Sequence, residues 1–398
     1  SELLRSMKAA GRNKKYDCIV GLSGGVDSSY TAWKAKEMGL RVLGVHLDNG
    51  WNSIEANQNI RNIATKLNID YECVVLDWQE FKQIQAAFLQ ASIPEADTPT
   101  DIAILAVLHK MAAKHGVKYI LSGGNFATEG ILPKFWHYNA KDLRYFKHIC
   151  ANFGPVKLRS FPTFGFVKEA YYKLFKGIKM IYFLNYLPFD KTESISLLKE
   201  KLDWKEYGGK HYESKYTGFI QSYYLYNKFN IDYRRATLSS QICAGSIRRE
   251  DALEILENIP YQEDRASTEM KYIAKKLDFT DEKFKGEIDD ILLVNSSLTR
   301  IENKNNNDKF QIDKNLILNL ISGFDIVVDG TDSLPIKYLI NDACVLLKKP
   351  LVYGSLYKFD GYVATFNIQN NEGDFSCNLR DAFPKIATDI PNCEEVGT

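Results

Sequence analysis

Ser23-Gly24-Gly25-Val26-Asp27-Ser28-Ser29 lies between an apolar run, Asp17 to Leu22, and a stretch of helical periodicity. Glycines there let the backbone approach phosphate oxygens, and the first turn of the following helix offers unpaired N–H groups to an anion. Ser23, Ser28 and Ser29 add hydroxyl donors. Asp27 is repelled by phosphate, so its chemical use is to hold Mg²⁺ against the phosphates of ATP. The turn lacks the lysine of a P-loop kinase, and its glycines are not spaced as in a dinucleotide fingerprint. Those absences remove the usual γ-phosphate-transfer and dinucleotide readings.

The elements that must position this turn follow from periodicity. Arg41 to Leu47, Tyr71 to Leu76 and Lys118 to Ser122 read as strands; Ser28 to Met38, Asn57 to Leu67 and Thr100 to His115 read as helices. Strands alternating with helices predict an α/β fold with a doubly wound parallel sheet, whose functional loops gather at the strands' carboxyl ends. His46 to Trp51 ends the second strand, and Asp48 there could meet ribose or adenine, although Asp-Asn-Gly alone is an ordinary turn. Ser122 to Gly130 ends the fourth and contributes Gly123, Asn125 and Glu129.

From about Pro155 to Lys285 the pattern is helical without recurring strands, and Ile301 to Lys309 is an Asn-rich linker-like stretch. Beyond it, Phe324 to Val328, Leu351 to Tyr353 and Gly361 to Ile368 read as strands, with a helix over Ile336 to Leu347. The expected division is 1–150 for the nucleotide domain, 151–292 for a helical substrate or partner lobe, and 293–398 for a partial Rossmann-like segment. A length of 398 residues suits this many cores. The net charge of +1 argues against a broad nucleic-acid-coating surface and leaves room for a local basic patch. Seven dispersed cysteines without a CxxC pair point to reduced thiols in the cytoplasm and to no zinc site. Phe161 to Phe189 is aromatic but interrupted by Lys168, Lys173, Lys176 and Lys179, so it is not a membrane span. A buried or subunit-covering hairpin is the favoured expectation, with shallow membrane contact the minority one.

The Ser-Gly-Gly-x-Asp-Ser turn after a strand resembles the pyrophosphate loop of the ATP-pyrophosphatase (PP-loop) superfamily, which has the adenine nucleotide alpha hydrolase-like fold. Asn125 and Glu129 resemble the Asn…Glu pair of NAD synthetases, in which the acid helps bind metal. LSGGVDSSY, HLDNGWNS, TPTDIAI, LSGGNFATEGILP and YGGKHYES together resemble the bacterial N-acetyl sugar amidotransferases of surface-polysaccharide biosynthesis, over roughly residues 14 to 285. That resemblance implies adenylation of the acetamido oxygen of a nucleotide-activated N-acetyl sugar, followed by attack of ammonia and loss of AMP. It also implies ATP, Mg²⁺ and a separate glutaminase partner. Lys210 would neutralise phosphate, and Glu213 or His211 would relay a proton; outside the family context such a cluster is more often a solvated turn. Arg234 and Arg235 could contact a sugar diphosphate, against the default of an exposed basic pair. Family members carry a cysteine-rich segment ahead of the loop, so a chain beginning at Ser1 is expected to be a short variant or a fragment.

Asp325 to Ser333 and the stretch from Tyr338 to Asn367 resemble the ThiF-type E1-like adenylyltransferases. Asp332 matches their adenylate-facing aspartate, Cys393 a cysteine in their mobile loop, and Lys337 stands where arginine is common. Their glycine-rich loop is absent, so this segment is expected to be silent alone, or to mark a fusion of incomplete genes. The rival function is tRNA thiolation by a PP-loop enzyme fed by E1-like activation of a sulfur carrier. That reading asks for paired catalytic cysteines or a cluster-binding set near the loop and for a basic RNA face.

Overall fold

The computed structural model describes residues 2–133, 136, 139, 141–154, 156–207, 212–281, 283–285, 317–318, 321–331, 334–357, 360–370 and 372–384. The chain divides into two compact units, Ser1–Leu292 and Leu293–Thr398.

In the first unit, β1 (Cys18–Gly21), β2 (Val42–Asp48), β3 (Asp70–Val75), β4 (Tyr119–Ser122) and β5 (Lys179–Tyr182) form one sheet in the order β3-β2-β1-β4-β5. All four pairings are parallel. The apolar runs read as strands because both faces of the sheet are covered. Along β1, Cys18 and Val20 enter one core while Ile19 enters the opposite one; Leu121 and Ile120 of β4 divide in the same way. After α1 (Glu2–Ala10), the helices α2 (Val26–Glu37) and α3 (Ile54–Lys66) supply the first core, through Tyr30, Ala32, Ile60 and Ile63. The helix α4 (Trp78–Gln90) belongs to a third, larger core, while α5 (Thr98–Lys114) puts Val107 and Met111 against the other face of the sheet. The helix starts are set locally: Ser53 Oγ accepts from Ala56 N at 3.0 Å, Asp77 Oδ1 accepts from Glu80 N at 3.0 Å, and Pro99 sits in the first turn of α5.

Further along come α6 (Phe126–Glu129), α7 (Leu143–Asn152), α8 (Phe166–Ala170), α9 (Lys191–Leu202), α10 (Lys215–Phe219), α11 (Leu225–Phe229), α12 (Arg234–Cys243), α13 (Arg249–Glu257) and α14 (Glu263–Lys276). The all-helical reading of this part misses β5, which lies at the sheet edge beside β4, with Tyr119 opposite Lys179. Its four residues carry a lysine and half-exposed faces, as an edge strand does, so no apolar run marks it. The aromatic stretch is divided between the inside and the surface of the unit. Phe161, Phe164, Phe183 and Leu184 are buried, whereas Phe166, Val167, Leu174 and Phe175 stand open to solvent.

The second unit holds β6 (Val327–Asp329), β7 (Leu351–Tyr357) and β8 (Asp360–Phe366) in that order, the first pair parallel and the second antiparallel. Its helix Leu334–Leu346 contributes Tyr338, Ile340 and Cys344 to a core closed by Leu351 and Phe366. Lys337 is buried against Asp329 at 3.1 Å and donates to Gly354 O at 2.6 Å. Asp332 and Cys393 lie outside the described residues.

One polar side chain links three parts of the first unit. Asn59, on α3 and fully buried, donates to Gly24 O at 3.1 Å and Lys205 O at 2.9 Å, and accepts from Lys205 N at 2.7 Å. Asn59→Ala leaves these groups without their partner and should cost about 2–4 kcal/mol in urea unfolding. A loss under about 0.5 kcal/mol would show that water replaces the amide.

Candidate active site

Order reversal in the sheet occurs at β1, flanked by β2 and β4, and the loops leaving the carboxyl ends of these strands diverge there. A cavity of about 330 Å³ opens at this point, within the range of small-molecule sites. Ser23, Gly25, Val26, Asp27 and Ser28 form part of its wall. Gly24 turns the loop at φ +81°, and a Cβ there would sit 2.8 Å from Ala56 Cα, so only glycine fits. Its carbonyl accepts from both Asn59 Nδ2 and Trp204 Nε1, the latter at 3.0 Å. The Gly25 carbonyl accepts from Ser28 Oγ at 3.1 Å and Ser29 Oγ at 2.6 Å. On its N–H side, Ser23 N donates to Ser28 Oγ at 3.3 Å and Gly25 N to Ser23 Oγ at 3.2 Å, hydroxyls that a phosphate oxygen can replace. Val26 N donates to the Tyr207 hydroxyl at 3.3 Å, so an incoming phosphate oxygen must share or displace that hydroxyl.

Gly123 brings the β4 loop against this turn: a Cβ there would lie 2.8 Å from Asp27 C and 2.9 Å from Ser28 N. Gly123, Gly124 and Glu129 complete that wall. On the other side, the segment after Tyr207 is pinned by a bridge between Asn52 and Ser214 and by Ser53 N donating to Glu213 O at 2.8 Å. Glu213 thereby reaches the cavity, and its Oε1 lies 3.2 Å from the Cβ position of Gly25. Val45, Leu47, Ile104, Val107, Leu108 and Leu121 give the cavity an apolar part suited to a flat base.

The structure thus brings Ser23, Gly25, Asp27, Ser28, Gly123, Glu129 and Glu213 to one cavity. Gly24 and Ser29 shape the loop from behind, and neither lines the cavity. Asp48 turns away to accept from Gly50 N at 2.9 Å, and Asn49 takes the wall position beside it. Asn125 caps α6, with Oδ1 accepting from Thr128 N at 3.0 Å. Arg234 is paired with Asp232 at 2.7 Å. Lys210 and His211 lie outside the described residues.

Several wall residues escape sequence reasoning. His46 is buried; its Nδ1 lies 2.7 Å from Leu22 O and must carry the proton, leaving Nε2 to accept from Asn52 Nδ2 at 2.8 Å. Burial lowers its pKa, so it stays neutral and structural. Asp97 and Asp101 both line the cavity from the start of α5, one helical turn apart. The Asp97 Oδ2 accepts from Thr217 Oγ1 at 2.7 Å, while its Oδ1 is shut off from solvent and has no hydrogen-bond partner. Burial, then the charge of Asp101, push its carboxyl up to about 7, against the opposing hydrogen bonds of Thr217 and Thr100. The i,i+4 acid pair was the available signal, but without the fold it reads as a solvated face.

Among the described lining residues five are carboxylates, Asp27, Asp97, Asp101, Glu129 and Glu213, against one lysine, Lys191. A triphosphate enters such a cavity only with cations. No three metal-ligating side chains are grouped among the described residues.

Residues 16–123 match the tRNA methyl transferase HUP domain, residues 213–319 the C-terminal domain of LPS biosynthesis protein WbpG-like proteins, and residues 275–398 the ThiF family. The chain carries a PP-loop domain and a ThiF-like C-terminal part. Among curated proteins it is similar to the sulfur carrier protein adenylyltransferase of Thermus thermophilus, 44% identical over 82 residues, 20% of this chain and 30% of that one. It is also similar to the adenylyltransferase and sulfurtransferase MOCS3 of Drosophila sechellia, 49% identical over 53 residues, 13% of this chain and 12% of that one. The chain therefore spans less than a third of the length of these relatives. Among solved structures, the U34-tRNA thiolase NcsA from Methanococcus maripaludis aligns at 15% identity with a TM-score of 0.29, over 62% of this chain and 80% of that one. A likeness at that score carries no functional weight.

These relatives overturn the sugar amidotransferase expectation. One is named for adenylation of a sulfur carrier and the other as an adenylyltransferase and sulfurtransferase, and the WbpG-like match is confined to 213–319, outside the Ser23–Ser29 loop itself.

Asp97 gives a signed test of the cavity's electrostatics. Its folded-state pKa is raised, so the stability it supports is full below the unfolded carboxyl's ordinary value and is lost as pH rises through about 7. The melting temperature of the wild type should fall between about pH 5 and about pH 8.5, and Asp97→Asn should flatten that fall. Parallel pH profiles for the two proteins would place the titration elsewhere.

Proposed function

We propose that the chain is a PP-loop enzyme that thiolates a tRNA base, using sulfur from a ubiquitin-like carrier activated by E1-like chemistry. The observation that carries this reading is the pairing, in one chain, of a PP-loop cavity with a ThiF-like part whose matched relatives adenylate sulfur carriers. The match of residues 16–123 to a HUP domain named for tRNA supports the acceptor. Among the described residues no cysteine lines the cavity, and Cys73 and Cys243 are exposed elsewhere. In this reading the carrier brings the sulfur, and the paired cysteines that a wall-bound sulfur would ask for are not among the described lining residues.

The chemistry runs in two displacements. A carbonyl oxygen of the base attacks the α-phosphorus of ATP; the new O–P bond forms as the bond to pyrophosphate breaks. The carrier's thiocarboxylate sulfur then attacks the base carbon, AMP leaves with the oxygen, and water releases the carrier as its carboxylate. Ser23, Ser28 and the N–H groups opening α2 hold the phosphates, in place of the water that would otherwise solvate their charge. Asp27 and Glu129 would hold Mg²⁺, which would neutralise charge on the leaving pyrophosphate. The apolar part of the wall takes adenine. Asp97, titrating near 7, is suited to take and return a proton as the tautomeric state of the acceptor changes.

The test mixes the full chain with tRNA, ATP, Mg²⁺ and a thiocarboxylated carrier, and digests the tRNA for mass spectrometry. A nucleoside with oxygen replaced by sulfur is expected, with Asp27→Asn slower by roughly 100-fold or more. Unmodified tRNA, with the carrier thiocarboxylate intact, would sink the proposal.

A further inference from the structure

The helix α8 continues into one π-helical turn, Tyr171–Phe175. Phe166, Val167, Ala170, Tyr171, Leu174 and Phe175 recur at i, i+1, i+4, i+5, i+8 and i+9, the spacing of a single apolar stripe. In a globular protein such a stripe faces the core. Here it faces out: Phe166, Val167, Leu174 and Phe175 are 79%, 80%, 74% and 79% exposed. The orientation is fixed from behind. Tyr172 stacks on Phe164 and packs against His109, Lys168 Nζ donates to Thr163 O at 2.9 Å, and Lys118 Nζ holds the carbonyl of Lys176. Tyr182 and Tyr186, also exposed, follow in the chain.

Four lysines, Lys168, Lys173, Lys176 and Lys179, flank the stripe, and the acid among them, Glu169, is paired with Lys141 at 2.6 Å. We infer that this face docks on an anionic lipid surface: the stripe enters the acyl boundary while the lysines meet the headgroups. Charge decides against the other occupants. A second copy packed through the same patch would bring lysines against lysines. A single-stranded nucleic acid needs aromatic platforms, and Val167 and Leu174 have no π-face to stack on a base. No helix among the described residues is long and apolar enough to cross a membrane, so the contact is peripheral. The inference is independent of the sulfur-transfer reading.

The full chain is sedimented with vesicles of phosphatidylcholine alone and with phosphatidylglycerol added. Binding should require the anionic lipid and weaken with salt, and both Phe166→Ser/Phe175→Ser and Lys173→Glu/Lys176→Glu should lower it about tenfold or more. Melting temperature and pyrophosphate release should stay unchanged in both variants, which separates this test from the active site. No binding to anionic vesicles, or binding that both variants retain, would overturn the inference. So would a dimer in light scattering that Phe166→Ser/Phe175→Ser dissociates, or capture of a single-stranded oligonucleotide that the same variant abolishes.

Discussion

The carbonyl of Gly24 accepts hydrogen bonds from two distant donors, Asn59 on α3 and Trp204 beyond α9. That constraint fixes the rest of the site. A glycine-rich turn is the most mobile kind of backbone, and its use as a phosphate cradle depends on having its N–H groups already aimed. Holding the Gly24 and Gly25 carbonyls against side chains makes the turn rigid without placing a side chain in the ligand's way. The same Asn59 also grips Lys205 through both its donor and its acceptor, so the backbone two residues before Tyr207 is held by the amide that holds the loop.

Much of this was legible in the residues. Cys18–Gly21 and Val26–Glu37 fall almost where the apolar run and the helical spacing put them, because Cys18, Ile19 and Val20 are buried on one face or the other and leave no polar gap. The loop was legible for a different reason: two adjacent glycines flanked by serines and an aspartate answer to backbone geometry and anion binding together. What stayed hidden acts through space. Asn59 looks like a polar position on an amphipathic helix until its partners, 35 and 146 residues away, are in view. Asp97 reads as a helix start, and its raised pKa comes from burial that only the fold creates. β5 was missed because an edge strand with lysine lacks an apolar signature, and the outward stripe of α8 because spacing gives a helix its face but not the direction that face points.

The two units ask different questions of one chain. The first assembles a complete cavity, with a loop for phosphate, an apolar part and an excess of carboxylates that calls for a cation. The second keeps a small core and a buried Lys337–Asp329 pair, and its link to sulfur carriers rests on sequence likeness to short stretches of longer relatives. The likeness to sugar amidotransferases drew on the loop together with motifs outside it, and its acceptor is the part that the sulfur-carrier relatives overturn. The walls nearest the loop bear on how ATP is held, and the ThiF-like part bears on the identity of the nucleophile.

The central claim is that the loop directs attack to the α-phosphorus of ATP. The most direct measurement supplies ATP labelled separately at the α- and γ-phosphates, with Mg²⁺, tRNA and a thiocarboxylated carrier, and follows where each label goes. The account predicts that the α label appears in AMP and the γ label in pyrophosphate. Label passing from the γ position into inorganic phosphate, with ADP left behind and pyrophosphatase excluded, would contradict it.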